Sequence, residues 1–188
     1  MMKKTALILI DVQQGFAEEA YFGGSRNNPD AEKRCADLLV AWRAHALPIF
    51  HVRHSSLLPD SPLHSGHDGF RFVPEVMPLA EETVITKTVN SAFIGTDLQS
   101  RLWKAGISTL VIAGLTTNHC VSTTVRMAGN LGFSVYCVHD ACAAFARTGI
   151  RGEHYDADTI HYTALANLHD EFAQVCASSD LLARIAAI

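Results

Sequence analysis

The sequence predicts an α/β fold: a mainly parallel sheet of roughly six strands with helices covering both faces, three layers in all. Short apolar, β-branched runs alternate with helical segments and are joined by short turns. The run Thr109-Leu-Val-Ile-Ala113 reads as a strand buried on both faces, as parallel strands are. The length of 188 residues suits one α/β domain spanning 1–188 and is short for two.

The first strand is Ala6 to Ile10, ending at Asp11, and Gly23-Gly-Ser-Arg-Asn-Asn-Pro29 is a loop by composition. A helix from about Pro29 to His45 carries Cys35, Leu38, Leu39 and Trp42 at helical spacing, with Pro29 or Asp30 suited to its start. Strand two is Pro48 to Arg53. The proline-rich residues 54 to 82 show no periodicity, and such a stretch inside a compact domain often forms a lid or a pocket wall. Thr83 to Thr86 is a short third strand with Lys87 at its end. Thr96 suits the cap of a helix from Asp97 to Ala105, stopped by Gly106. After the fourth strand, Val121 to Leu131 reads as helix, and Phe133 to Val138 as the fifth strand, with Asp140 capping a turn. A helix from Asp156 to Leu168, a sixth strand from Glu171 to Ala177 and a final helix from Asp180 to Ala187 complete the chain.

Almost half the residues are apolar and the net charge is −4, so no basic excess points to a nucleic-acid partner. The start, Met1-Met-Lys-Lys followed by Thr5 to Ile10, has a signal-like look. Its apolar run is short and ends in Asp11, without a small-residue cleavage site, and is read as a strand. No apolar run reaches the roughly 18 residues of a membrane span. The five cysteines, Cys35, Cys120, Cys137, Cys142 and Cys176, are odd in number and include no C-x-x-C pair. That argues against a disulfide framework or zinc ribbon and for a cytoplasmic location. Cys35, Cys137 and Cys176 are expected in the core.

Three polar residues stand at or beyond the carboxyl ends of predicted strands: Asp11 after the first, Lys87 after the third and Cys120 after the fourth. In a parallel sheet these ends share one edge, where open α/β folds place their ligands. Cys120 falls at a strand-to-helix turn, and a helix N-terminus favours a thiolate over a thiol. A nucleophile, an acid/base and a fixed positive charge are the minimum set for covalent hydrolysis.

Three segments then carry a resemblance over nearly the whole chain: Leu9-Ile-Asp11-Val-Gln-x-x-Phe16, Thr86-Lys87-x-x-x-Ser91-Ala-Phe93 and Gly114-Leu-Thr-Thr-Asn-His-Cys120-Val. With them the sequence resembles the isochorismatase-like cysteine hydrolases, which include N-carbamoylsarcosine amidohydrolase, nicotinamidase and isochorismatase itself. The resemblance implies a three-layer α/β/α, Rossmann-like fold and a catalytic triad of Asp11, Lys87 and Cys120. It implies a non-proline cis peptide at Leu115–Thr116, with the amides of Thr116 and Cys120 as the oxyanion hole. It also implies self-association as a homodimer or larger oligomer. Phe16 and Phe93 are expected as pocket walls, and His54 and His119 near the substrate.

Nicotinamidases carry a metal-binding Asp-x-His just after the second strand. Here the stretch is His51-Val-Arg-His54, and Arg53 in the carboxylate's place repels a cation. His64 and His67 lack a third ligand. The expectation is therefore no metal and no cofactor, with a small molecule as substrate and neither nucleic acid nor membrane as partner. The leading function is hydrolysis of a small, non-peptide amide or carbamoyl compound. Vinyl-ether cleavage of the isochorismatase type needs protonation by the Asp but no cysteine nucleophile, and stands second. A doubly wound binding protein is the reading from another class. Against it, the first strand is followed by Asp-Val-Gln-Gln-Gly and by no phosphate-binding glycine loop.

Overall fold

The computed structural model describes residues 4–186, so Ala187, the expected end of the last helix, and the start Met1 to Lys3 lie outside the described residues. The strands, in chain order, are β1 (Thr5–Ile10), β2 (Ile49–His54), β3 (Thr83–Lys87), β4 (Thr109–Leu115), β5 (Ser134–Ala143), β6 (Arg147–Thr148), β7 (His154–Tyr155) and β8 (Gln174–Cys176). The helices are α1 (Glu19–Phe22), α2 (Ala31–Ala44), α3 (Leu98–Lys104), α4 (Ser122–Asn130), α5 (Ala157–Ala166) and α6 (Ser178–Ala186). Six strands form one sheet in the order β3-β2-β1-β4-β5-β8, every neighbouring pair parallel. The strand order reverses between β1 and β4, which opens a crevice at their carboxyl ends.

Strand alternation divides the core into two layers. Ala6, Ile8 and Ile10 of β1 pack with Leu98 and Leu102 of α3, Val125 and Ala128 of α4 and Leu165 of α5. Leu7 and Leu9 face the other way, towards Leu38, Leu39 and Trp42 of α2 and Leu181 and Ile185 of α6. All five cysteines are free; Cys35 and Cys137 are buried as expected, and Cys142 with them, whereas Cys176 is only half-buried. Among the described residues no helix is long and apolar enough to cross a membrane.

Several boundaries differ from expectation for local reasons. The fifth strand continues past Val138 to Ala143, because Cys142 and Ala143 pair with Gly114 and Leu115 beyond a register shift. Asp140 therefore lies in a strand and caps no turn there; its carboxylate accepts from the backbone N–H and the hydroxyl of Ser178, starting α6 two residues before Asp180. Helix α3 starts after Asp97, and Thr96 donates its hydroxyl to the Ala92 carbonyl at 2.6 Å. Arg147–Thr148 and His154–Tyr155 form a small antiparallel hairpin that the sequence pattern did not announce. Gly114 sits at φ 125°, and a Cβ there would come 2.0 Å from the Ile10 carbonyl oxygen, so only glycine lets β4 run this close to β1.

The irregular stretch 54–82 is fastened past its middle and at its far end. Gln13 and Gln14 donate their side-chain amides to the Phe70 and Phe72 carbonyls at 2.9 and 3.0 Å. At the far end, Glu82 takes Arg43 on both oxygens and His51 on one. Burial pushes Glu82 up, but Arg43, the Leu79 N–H and His51 outweigh it and bring the carboxyl down to about 2. These contacts tie the stretch to the segment leaving β1, to α2 and to β2.

Candidate active site

Asp11 ends β1 and adopts φ 52°, a left-handed conformation that stops the strand and that Asp tolerates better than most residues. Lys87 ends β3. Cys120 lies in a π-helical turn, Thr117–Val121, between β4 and α4, so the expected helix at Val121 begins after this wider turn. The Leu115–Thr116 peptide bond is cis.

These elements bring the three side chains together. Lys87 Nζ donates to Asp11 Oδ2 at 2.7 Å and to Cys120 Sγ at 3.3 Å. Both members of the ion pair have fully buried side chains. Asp11 Oδ1 is also buried and has no hydrogen-bond partner. Cys120 is 9% exposed and lines a cleft of about 310 Å³. Burial, and then the Asp11 charge, push its thiol well above the usual range, and Lys87 opposes them. Together these influences favour the thiol over the thiolate at Cys120. The stabilisation of a thiolate expected from Lys87 and the helix end therefore has burial and the Asp11 charge to work against.

The cleft places the remaining candidates. Phe16, His54, Thr116 and His119 line it, as Cys120 does. Phe93 does not: it is buried in the core, its ring stacked on Phe133 at 6.1 Å between centroids. Serine-proline-rich chain from 54–82 supplies Ser56, Ser61 and Leu63 to one side. Phe22 and Phe145, absent from the sequence-based expectations, join Phe16 in an aromatic wall with centroid separations of 4.6 and 5.3 Å along the chain Phe16–Phe22–Phe145. Arg147, just beyond β5, adds a positive charge, and Asn90 and Asn118 add amides. Burial and then Arg147 hold the His119 imidazole below its usual range.

The turn itself is braced from α5. The fully buried His161 pairs its Nδ1 with the Thr117 hydroxyl at 2.8 Å, and burial lowers its pKa to about 4, so it is neutral at pH 7. Nothing in the helical pattern of α5 marks His161 apart from its burial.

The residues do not fit a metal ion. Among the described residues one trio offers three ligand atoms within 4.8 Å of one another: Asp11, His54 and Cys120. Lys87 Nζ stands against all three, at 2.7, 3.2 and 3.3 Å, so an ammonium holds the place a cation needs. Strand alternation turns His51 to Glu82, while Arg53 donates to the Thr86 hydroxyl and lies 4.4 Å over the Phe70 ring. His67 is committed to the Pro59 carbonyl and His64 to the Gly66 N–H.

Comparison with known proteins agrees with this architecture. Residues 5–180 match the model of the isochorismatase domain. The isochorismatase family protein YrdC of Bacillus subtilis is 46% identical over 182 residues, covering 97% of this chain and 96% of that one. A streptothricin hydrolase of Streptomyces noursei is 31% identical over 144 residues, 74% of this chain and 54% of its own. The crystal structure of a protein from Chromobacterium violaceum described as a hydrolase of the isochorismatase family superposes with a TM-score of 0.94 at 47% identity, covering 99% of this chain and 95% of that one. With the domain model matched over residues 5–180 and a relative of this similarity over nearly its whole length, the protein belongs to the isochorismatase family.

Proposed function

We propose that the protein is a cysteine hydrolase that cleaves the C–N bond of a small non-peptide amide or carbamoyl compound through a thioester on Cys120. The observation that carries this reading is the buried ammonium of Lys87 bridging Asp11 and Cys120, beside a carboxylate oxygen with no other partner.

The steps follow from that geometry. As Sγ attacks the substrate carbonyl carbon, its proton passes to Asp11 Oδ1, and the C–S bond forms while the carbonyl oxygen takes the negative charge. Thr116 and Cys120 both line the cleft, and their backbone amides are the proposed donors to that oxyanion. Asp11 returns the proton to the leaving nitrogen as the C–N bond breaks, which frees ammonia or an amine and leaves the thioester. Water then attacks the thioester, giving a proton to Asp11; the C–S bond breaks and Sγ recovers that proton. Lys87 stays charged throughout and offsets the charge that moves between carboxylate and sulfur. The aromatic wall of Phe16, Phe22 and Phe145 suits an apolar or planar flank on the substrate, and Arg147 suits a negative or carbonyl-rich one.

A panel of small amides, carbamoyl compounds and isochorismate, run with wild type and Cys120→Ala, tests the reading. Ammonia or amine release from a panel member, lost in the variant, is the expected result. Pyruvate release from isochorismate that survives the substitution would replace it with ether cleavage.

A further inference from the structure

The Lys87 ammonium has three N–H bonds and three acceptors around it: Asp11 Oδ2, Cys120 Sγ and, at 3.2 Å, His54 Nδ1. Lysine can only donate, so His54 Nδ1 must present a lone pair and the ring proton must sit on Nε2. The contact is built into the sheet, since His54 and Lys87 are direct partners in the β2–β3 register and leave the same face side by side. The backbone of His54 is in turn clamped by Gln13: its N–H donates to Gln13 Oε1 at 2.8 Å, and its carbonyl accepts from Gln13 Nε2 at 3.1 Å. Gln13 is 1% exposed and stands two residues after Asp11. The segment leaving β1 thus holds Lys87 twice, directly through Asp11 and indirectly through Gln13 and His54.

We propose that His54 is a positioning residue of the hydrolytic site, acting through Lys87: by taking one ammonium hydrogen it aims the other two at Asp11 and Cys120. The charged groups facing the ring are Lys87 from β3 and Asp11 from the end of β1, and the Val89 carbonyl is a further polar neighbour. Burial and then Lys87 lower the proton affinity of the ring, against Asp11 and Val89, so the ring is neutral at pH 7. A proton on Nδ1 would abolish the acceptor and set a second cation against the first.

The kinetic part of this inference rests on the hydrolase reading; the spectroscopic part does not. In the ¹⁵N long-range spectrum of wild-type histidine rings, His54 is expected as the Nε2–H tautomer, and still mainly uncharged at pH 6.5, where an ordinary imidazole is half protonated. An Nδ1–H tautomer, or a charged ring at that pH, would overturn the proposal whether or not a substrate is known. With a substrate from the panel, His54→Leu, which has no acceptor, is expected to lower kcat by about a hundredfold with KM little changed. His54→Asn, whose Oδ1 can take the place of Nδ1, is expected to recover most of that loss. Equal loss in both variants, or no loss in His54→Leu, would reject the positioning role.

Discussion

Asp11→Asn is expected to abolish hydrolysis while making Cys120 more reactive towards iodoacetamide. The carboxylate has two roles that the substitution separates. As the acceptor of the thiol proton it is needed for attack and for protonation of the leaving group, and its loss is expected to lower kcat/KM by roughly 10²- to 10⁴-fold. In the resting enzyme, however, its charge helps to hold the proton on sulfur, second only to burial. An amide at position 11 removes that charge and leaves Lys87, 3.3 Å away, to favour the thiolate. Alkylation at neutral pH should rise about tenfold for each unit by which the thiol pKa falls. Wild-type labelling should be slow at pH 7 and climb with pH. Slower labelling in Asp11→Asn than in wild type would mean that Asp11 already draws the proton from the resting sulfur, and would contradict this reading of its charge.

The second large effect concerns stability. Lys87→Met keeps the length of the side chain but leaves the fully buried Asp11 carboxylate without its cation. Breaking a buried pair from one side costs about 3–5 kcal/mol, a large share of the stability of a domain this size. Urea unfolding should show that loss. The double variant Asp11→Asn/Lys87→Met should recover most of it, because neither buried charge then remains unpaired, and should stay inactive. A single variant as stable as wild type would mean that the pair is solvated in solution. A double variant as unstable as the single one would place the loss in packing.

The contrast between these roles shows what the chain discloses in its sequence and what it withholds. Asp11, Lys87 and Cys120 were legible because each follows an apolar, β-branched run, and a parallel sheet delivers all such ends to one edge. The order β3-β2-β1-β4 then sets Asp11 and Cys120 on either side of the point where the strand order reverses. The substrate wall was less legible. Phe22 comes from a four-residue helix, and Phe145 and Arg147 follow a strand whose length depends on pairing past a register shift. Polar His139 and Asp140 interrupt the apolar pattern of that strand, so its second half has no local signature. Phe93 departs from the expected pocket wall because nearness in sequence to Lys87 says nothing of direction, and its ring turns into the core. The state of the sulfur depends on burial and on a carboxylate 109 positions away in sequence, neither of which a turn motif records.

The covalent state of Cys120 during a single turnover tests the central claim most directly. Enzyme in excess over an amide substrate would be quenched in acid at a series of times, digested, and the Cys120 peptide weighed. The account predicts a transient mass increase equal to the substrate acyl group, appearing with the first amine released and removed by hydroxylamine. Amine released in that first turnover while the Cys120 peptide keeps its unmodified mass throughout would contradict it.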